Sequence, residues 1–245
     1  MHGRLAIAIA AFLSGLSAVA PARADAPPYV TNDTEIADKL ELSPFLQWSG
    51  RGRISVDTVG VDVAIPLAAR WEMSIVPRFA RIETPEGRLA GLGDTEVAVK
   101  YLAAPETALW PAIALEPNIT FPTGGRRMGD GVVAIEVPLL ISKAFGPWRL
   151  SGQLGYEREG AHARDDHAPI SLLLERTIAK DFNLGVEIAN DVPMRRPGHG
   201  SVEANLGGSW AIRDGLALHV AIGRRLASAD ASADVHTCLA LAVEL

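Results

Sequence analysis

The chain has 245 residues, of which 23 are basic and 29 acidic, so its formal net charge is −6 at pH 7. That charge argues against a nucleic-acid-binding surface, and the single cysteine excludes an internal disulfide framework and a Cys-rich metal site. The 23 glycines and 16 prolines argue against long helices, which leaves a β-rich domain that is either secreted or embedded in a membrane.

The first 24 residues have the pattern of a secretory signal peptide. Arg4 gives a basic start, Leu5–Ala20 is an apolar run, and Ala22-Arg23-Ala24 is a cleavage motif. A membrane anchor, the alternative, would need a longer apolar core. Residues 1–24 are therefore predicted to be removed after export. Residues 25–39 are assigned to a periplasmic N-terminal tail, and a plug stays open as an alternative.

From about residue 40 onward the sequence alternates with period two, which places neighbouring side chains on opposite faces of a strand. Residues 94–101, for example, set Thr95, Val97, Val99 and Tyr101 against charged or small residues. Twelve such runs are present, most of them about ten residues long, the length that a tilted strand needs to cross a bilayer. Strands are predicted near residues 40–48, 55–66, 70–81, 92–102, 109–122, 132–143, 148–158, 169–178, 182–192, 202–212, 216–225 and 236–245.

The links between these strands alternate in length. Those after even-numbered strands are short, at Leu67–Ala69, Ala103–Ala108, Ala144–Pro147, Ala179–Asp181 and Arg213–Gly215. Most of the others are longer and rich in Gly, Pro and charge, at Ile82–Gly91, Pro122–Gly131, Glu159–Ala168, Pro193–Ser201 and Leu226–Val235. Short periplasmic turns and longer outer loops are typical of outer-membrane barrels. Residues 40–245 are therefore predicted to form an all-β, antiparallel transmembrane barrel of about twelve strands.

Aromatic side chains fall on the apolar face of the predicted strands, near both ends. One group lies at the short-turn ends and comprises Trp71, Tyr101, Trp148, Phe182 and Trp210. A second group lies near the long-loop ends and comprises Trp48, Phe79, Phe121 and Tyr156. Two bands of rings are expected at the two interfaces of a membrane, although aromatic residues are also common in strands that pack a core.

Several segments resemble a known family of outer-membrane barrels, the MetA-pathway of phenol degradation family. They are Arg70–Ser74, Gly91–Asp94 with Val99–Tyr101, Pro117–Gly124, Val137–Lys143 and Leu154–Tyr156. The resemblance covers about residues 55–225, and it implies a barrel that transports small hydrophobic or aromatic compounds. It supplies no catalytic residues. Barrels of this kind usually end in an aromatic residue that the barrel assembly machinery reads, whereas this chain ends in Leu245.

If the apolar face meets lipid, the opposite face lines the lumen and is strongly charged. The lumen-facing candidates are Glu72, Asp94, Glu96, Lys100, Glu116, Glu136, Arg149, Glu187 and Glu203. Charges inside a barrel need either water or a partner of opposite charge. A hydrated acidic lumen would favour cations, whereas carboxylates paired with Arg or Lys would fill the interior. The sequence leaves both possibilities open.

Basic residues gather in the predicted long loops. Arg126, Arg127, Arg195 and Arg196 are candidates for binding the phosphates of outer-leaflet lipids, since a guanidinium can hold a phosphate with two hydrogen bonds. The alternative is that these residues lie on solvated loop tips. The expected partners are therefore outer-membrane lipids and lipopolysaccharide, the barrel assembly machinery and a small solute, but no nucleic acid.

Three groups of residues suggest chemistry without completing a known pattern. The loop His162–His167 has two imidazoles and two carboxylates, but its spacing fits no closed zinc site. Gly124–Gly131 is glycine-rich but lacks the Lys and the following helix of a phosphate loop. Ser209, His219 and Glu203 provide the residue types of a hydrolase without a nucleophile motif. No cofactor, metal or catalytic residue is assigned.

The working hypothesis is a non-enzymatic outer-membrane channel for the passive passage or binding of a small, hydrophobic or aromatic solute. A soluble periplasmic β-sandwich or lipocalin-like ligand binder is the main alternative. In that fold the apolar face would point inward instead of toward lipid. An outer-membrane lipid hydrolase is a more remote alternative.

Overall fold

The computed structural model describes residues 28–124, 128–129, 131–160, 166–194, 200–227 and 235–245, and the predicted signal peptide lies outside them. The described residues contain seventeen strand segments. They are β1 (Glu41–Arg51), β2 (Ile54–Ala68), β3 (Trp71–Val76), β4 (Arg78–Thr84), β5 (Gly87–Leu92), β6 (Thr95–Ala104), β7 (Ala112–Leu115), β8 (Asn118–Phe121), β9 (Ala134–Glu136), β10 (Leu139–Phe145), β11 (Trp148–Leu154), β12 (Glu157–Glu159), β13 (Asp166–Ala179), β14 (Phe182–Pro193), β15 (Ser201–Arg213), β16 (Leu216–Ala227) and β17 (Val235–Glu244). No helix in the described ranges is long and apolar enough to cross a membrane.

Five pairs of consecutive segments are halves of one strand, so the described residues form twelve crossing strands, as the alternation predicts. The halves are β3 and β4, β5 and β6, β7 and β8, β9 and β10, and β11 and β12. Three of the five breaks contain a proline, which has no N–H to donate to the ladder. Neighbouring strands still bond across the breaks. For example, the N–H of Glu116 donates to the carbonyl of Pro138 at 3.2 Å.

The sheet closes on itself. Each strand pairs antiparallel with the next, and β17 pairs with β1 from Glu41 opposite Glu244 to Gly50 opposite Val235. Closure leaves none of the described strands with an unpaired edge, which is the condition for a sheet to lie in lipid. The predicted closed antiparallel barrel is therefore confirmed, and the alternative of a β-sandwich is wrong.

The outer face of the barrel wall is apolar and the inner face is polar, as contact with lipid and with a polar lumen requires. Large apolar side chains are exposed on the outside, among them Leu172, Val186 and Ile188. The predicted aromatic bands lie on the same face, since Trp48, Trp71, Phe79, Phe121, Trp148, Tyr156 and Trp210 are all exposed. Trp71 stacks on Tyr101 with ring centroids 4.4 Å apart. The outer surface is therefore an apolar belt with interfacial rings at both ends.

Three links differ from the prediction. The first two hairpins at the long-loop end are tight turns, Gly52-Arg53 and Pro85-Glu86, whereas a long loop was expected at Ile82–Gly91. Gly52 has a φ of +60°, a conformation that a two-residue hairpin turn requires. Arg88 pairs across the second hairpin with Glu83 at 2.9 Å, so residues that looked like a charged loop extend the strands. At the opposite end, the fifth strand begins at Ala112 and not at residue 109.

Candidate functional site

The lumen is lined by polar and charged side chains that are almost fully buried. Glu72, Lys100, Glu116 and Glu187 have exposed fractions of 2%, 1%, 3% and 2%. They lie on four separate crossing strands and point to the inside of the barrel, where the period-two pattern places them. This interior is the candidate functional site.

Residues 28–40, here called the N-terminal segment, lie inside this interior. Val30 and Thr31 reach the middle of the lumen, where they contact β13 and β14. The segment then descends to the short-turn end, where the carbonyl of Leu40 accepts a hydrogen bond from the N–H of Leu245 at 2.9 Å. The described part of the segment that the sequence assigned to a periplasmic tail, with a plug as the alternative, therefore lies within the lumen. The reason is that the polar lumen supplies hydrogen-bond partners for an irregular backbone.

Glu187 holds the tip of the N-terminal segment. Its carboxylate accepts hydrogen bonds from the N–H of Val30 at 3.1 Å, the N–H of Thr31 at 2.6 Å and the hydroxyl of Thr31 at 2.5 Å. A fourth bond comes from the Asn205 amide at 2.6 Å. The Thr31 hydroxyl also lies 2.7 Å from the hydroxyl of Ser171. A buried carboxylate with several donors makes strong, charge-assisted bonds, so this contact fixes the segment at mid-barrel.

Tyr29 occupies a notch in the wall that two glycines form. Gly185 and Gly207 are directly opposite each other on β14 and β15. A Cβ atom added at Gly185 would lie 2.5 Å from the Tyr29 hydroxyl oxygen, and one added at Gly207 would lie 2.9 Å from it. The ring therefore fits only because both positions lack a side chain.

A second set of contacts holds the lower part of the segment. The Asn32 amide donates to Glu116 at 2.8 Å, and the N–H of Ala37 donates to Glu72 at 2.6 Å. Lys100 lies between these two carboxylates, with its Nζ 3.9 Å from Glu72 and 3.8 Å from Glu116. One ammonium group thus links two wall carboxylates that themselves bind the segment.

An ion pair joins the segment to another part of the wall. Arg149 contacts the carboxylate of Glu35 at 2.8 Å. Elsewhere on the inner face Arg78 pairs with Glu96 at 2.9 Å. In the half of the lumen that the segment occupies, these charged side chains therefore bind protein groups rather than line an empty pore.

Above the segment, toward the long-loop end, the lumen contains a cavity of about 260 Å³. Its wall carries both apolar groups, including Val30, Pro169 and Ala189, and hydrogen-bonding groups, including Ser171, Gln153, Asp191, Ser201, Glu203 and Arg225. The volume is slightly below the range typical of drug-sized ligands. The cavity therefore has the size and the mixed polarity to hold one small amphiphilic molecule.

The remaining predicted lumen residues lie apart from the segment. Asp94 accepts a hydrogen bond from the N–H of Gly124 at 3.0 Å, and Glu136 accepts one from Asn118 and one from Gln153, both at 3.3 Å. Glu203 lines the cavity and accepts a long bond from Asn205 at 3.4 Å. The loop candidates Arg126, Arg127, Arg195 and Arg196 lie outside the described residues, as does most of the loop His162–His167.

The positions of Ser209, His219 and Glu203 do not support the hydrolase hypothesis, and the described residues do not support a metal site. Ser209 and His219 are directly opposite each other on β15 and β16. Glu203, however, lies six residues from Ser209 on the same strand, which is roughly 20 Å at 3.3 Å per residue. A triad needs its acid beside the histidine. Within the described ranges, no three potential metal ligands come together.

A family model described as "Putative MetA-pathway of phenol degradation" matches residues 28–230. The chain belongs to this family. The match begins at the first described residue of the N-terminal segment, so the segment is part of the family's sequence pattern. No curated protein sequence matches the chain.

Solved structures with similar folds are outer-membrane barrels. The COG4313 outer membrane channel from Pseudomonas putida F1 has a TM-score of 0.72 at 11% identity, covering 90% of this chain and 100% of that one. The NanC porin has a TM-score of 0.62 at 10% identity, covering 83% and 100%. The translocator domain of the autotransporter NalP from Neisseria meningitidis has a TM-score of 0.58 at 9% identity, covering 85% and 89%. The chain therefore has the fold of an outer-membrane β-barrel. Since one fold serves a channel, a porin and a translocator, its function must be argued from its lumen.

Sequence reasoning identified the wall of this site but missed the residues that fill it. Tyr29, Thr31, Asn32 and Glu35 lie in a stretch without any hydrophobic period. The sequence of the wall nevertheless contains a signal for a side chain packed against it. Gly185 and Gly207 both fall on the lumen face, at facing positions of adjacent strands.

Proposed function

We propose that the protein is a gated outer-membrane channel for small amphiphilic solutes. The cavity above the N-terminal segment receives the solute, and displacement of the segment opens the path to the periplasm. The observation that carries this proposal is that the segment in the lumen is held by hydrogen bonds, an ion pair and the packing of the Tyr29 ring. Such contacts can break and re-form without unfolding the wall.

The composition of the cavity supports a solute with an apolar body and one hydrogen-bonding group. Val30, Pro169 and Ala189 provide apolar contact, while Ser201 and Gln153 provide hydrogen-bonding groups in the lining of the same 260 Å³ cavity. A single aromatic ring with a hydroxyl group satisfies both requirements, and the family description is consistent with that class. We assign no catalytic role to the lumen residues, because Glu203 is too far from Ser209 and His219 to complete a triad.

Calorimetric titration of the purified barrel with phenol tests the cavity. Ala189 is buried on the lumen face and lines the cavity. Ala189→Trp fills the space, and we expect it to abolish saturable binding. Leu184→Trp, on the lipid-facing side of the same strand, is the matched control and should bind as wild type does. Equal binding by wild type and Ala189→Trp would contradict the proposed site.

A further inference from the structure

The lipid-facing wall carries an apolar groove of about 570 Å³ across β13 to β17. Two cross-strand rows of outward-facing side chains form most of it. The row nearer the long loops comprises Leu172, Ile188, Ala204, Arg224 and Val235, and the row below it comprises Leu174, Val186, Leu206 and Ile222. Ala204 is the one small side chain among these large ones, so the wall is recessed there.

Arg224 is the only charged member of the two rows. It is directly opposite Ala204 on one side and Val235 on the other. Among the residues that the structure describes, no side chain makes a hydrogen bond or ion pair with its guanidinium. A lipid-facing arginine is destabilising unless its charge reaches a polar group of the interface. Arg224 lies three residues before the long-loop end of β16 at Ala227, so its side chain can extend to the headgroups of the outer leaflet.

Arg81 is an outward-facing arginine whose partners are carboxylates of the protein itself. It also lies toward the long-loop end of its strand and is exposed. Its guanidinium contacts Asp57 at 2.6 Å and Glu83 at 3.8 Å. Arg224, in contrast, has an apolar groove beside it where Arg81 has carboxylates. Among the described residues, no carboxylate pairs with Arg224 as Asp57 pairs with Arg81.

We propose that this groove is a docking site for a phosphate-bearing lipid of the outer leaflet. An acyl chain lies against Leu172, Ile188 and Leu206 in the recess over Ala204. The lipid phosphate accepts two hydrogen bonds from the planar guanidinium of Arg224, a geometry that lysine cannot provide. The site lies on the opposite face of the wall from the lumen cavity and does not depend on transport.

Native mass spectrometry of the intact barrel with added lipid A tests the proposal. We expect Arg224→Gln to weaken the tightest lipid-binding step by about tenfold or more, since it removes a charge-assisted, two-pronged contact. Arg224→Lys keeps the charge but cannot form the bidentate contact, so its affinity for lipid A should be intermediate. Ala204→Phe fills the recess and should weaken binding while leaving Arg224 in place. Arg81→Gln is the matched control and should bind lipid A as wild type does.

Each variant must show the heat-dependent electrophoretic shift of a closed barrel, so that a folding defect is separated from a binding defect. Equal affinity in Arg224→Gln and Arg81→Gln would overturn the proposal. So would competition by millimolar inorganic phosphate as effective as that by lipid A, because the site would then bind a free anion and not a lipid. Ala204→Phe that blocks phenol entry but leaves lipid A binding unchanged would assign the groove to solute instead.

Discussion

Replacing Glu187 with alanine should release the tip of the N-terminal segment. Its carboxylate accepts three hydrogen bonds from Val30 and Thr31. The wall itself should persist, because the main-chain pairing of β14 with β13 and β15 does not involve this side chain.

The size of the effect follows from these three bonds. A hydrogen bond to a charged group contributes about 1.5–3 kcal/mol, so three bonds would give about 4.5 kcal/mol at the lower value. Bonds that share one carboxylate are not additive, and the freed groups can bind water once the segment moves. A net loss on the order of 3 kcal/mol is therefore expected. At 1.4 kcal/mol per tenfold change, the displaced population rises roughly a hundredfold.

Single-channel recording in planar bilayers measures that population as the fraction of time spent at the open level. Glu203→Gln is the matched control, since it changes the lumen charge by the same amount at a carboxylate with no described hydrogen bond to the segment. Glu187→Gln, which keeps one acceptor oxygen, should be intermediate. An open fraction in Glu187→Ala no higher than in Glu203→Gln, with both barrels heat-modifiable, would refute the reasoning.

Two further substitutions test other contacts of the segment. Gly185→Ala should also raise the open fraction, because its Cβ would lie 2.5 Å from the Tyr29 hydroxyl oxygen. Gly152→Ala is the control and should leave the open fraction unchanged, because its Cβ would meet nothing closer than 3.7 Å. Equal open fractions in the two variants would show that the glycine notch does not hold the segment. Lys100→Met should lower the temperature of the electrophoretic heat shift, since removing one partner of a buried ion pair costs about 3–5 kcal/mol. Adding Glu116→Gln should restore part of that loss, and no restoration would mean that Lys100 does not act through this carboxylate.

The wall of the barrel could be predicted because lipid and lumen impose opposite requirements on alternate residues. Val97 and Val99 must face lipid while Glu96 and Lys100 face the lumen, so the period-two pattern follows from the solvent on each side. The aromatic bands follow likewise from the two interfaces of the membrane. These are local properties that each strand carries in its own residues.

The position of the N-terminal segment could not be predicted because its contacts are not local. Thr31 meets Glu187 across 156 positions of sequence, and nothing near Thr31 indicates that partner. The tight hairpin at Pro85-Glu86 was missed for a related reason. Arg81 and Arg88 are charged residues of a kind common in loops. Their pairing with carboxylates on neighbouring strands, which the local sequence does not show, places them in strands.

The most direct test of the gated channel is a reversible tether between the N-terminal segment and the wall. The Thr31 and Ser171 hydroxyls lie 2.7 Å apart, so Thr31→Cys with Ser171→Cys places two thiols side by side, and Cys238→Ala removes the native cysteine. In planar bilayers the oxidised protein should stay closed, and a reductant should restore the openings seen with Cys238→Ala alone. Openings of equal size and frequency before and after reduction would mean that solutes bypass the segment, and the gate would be disproved.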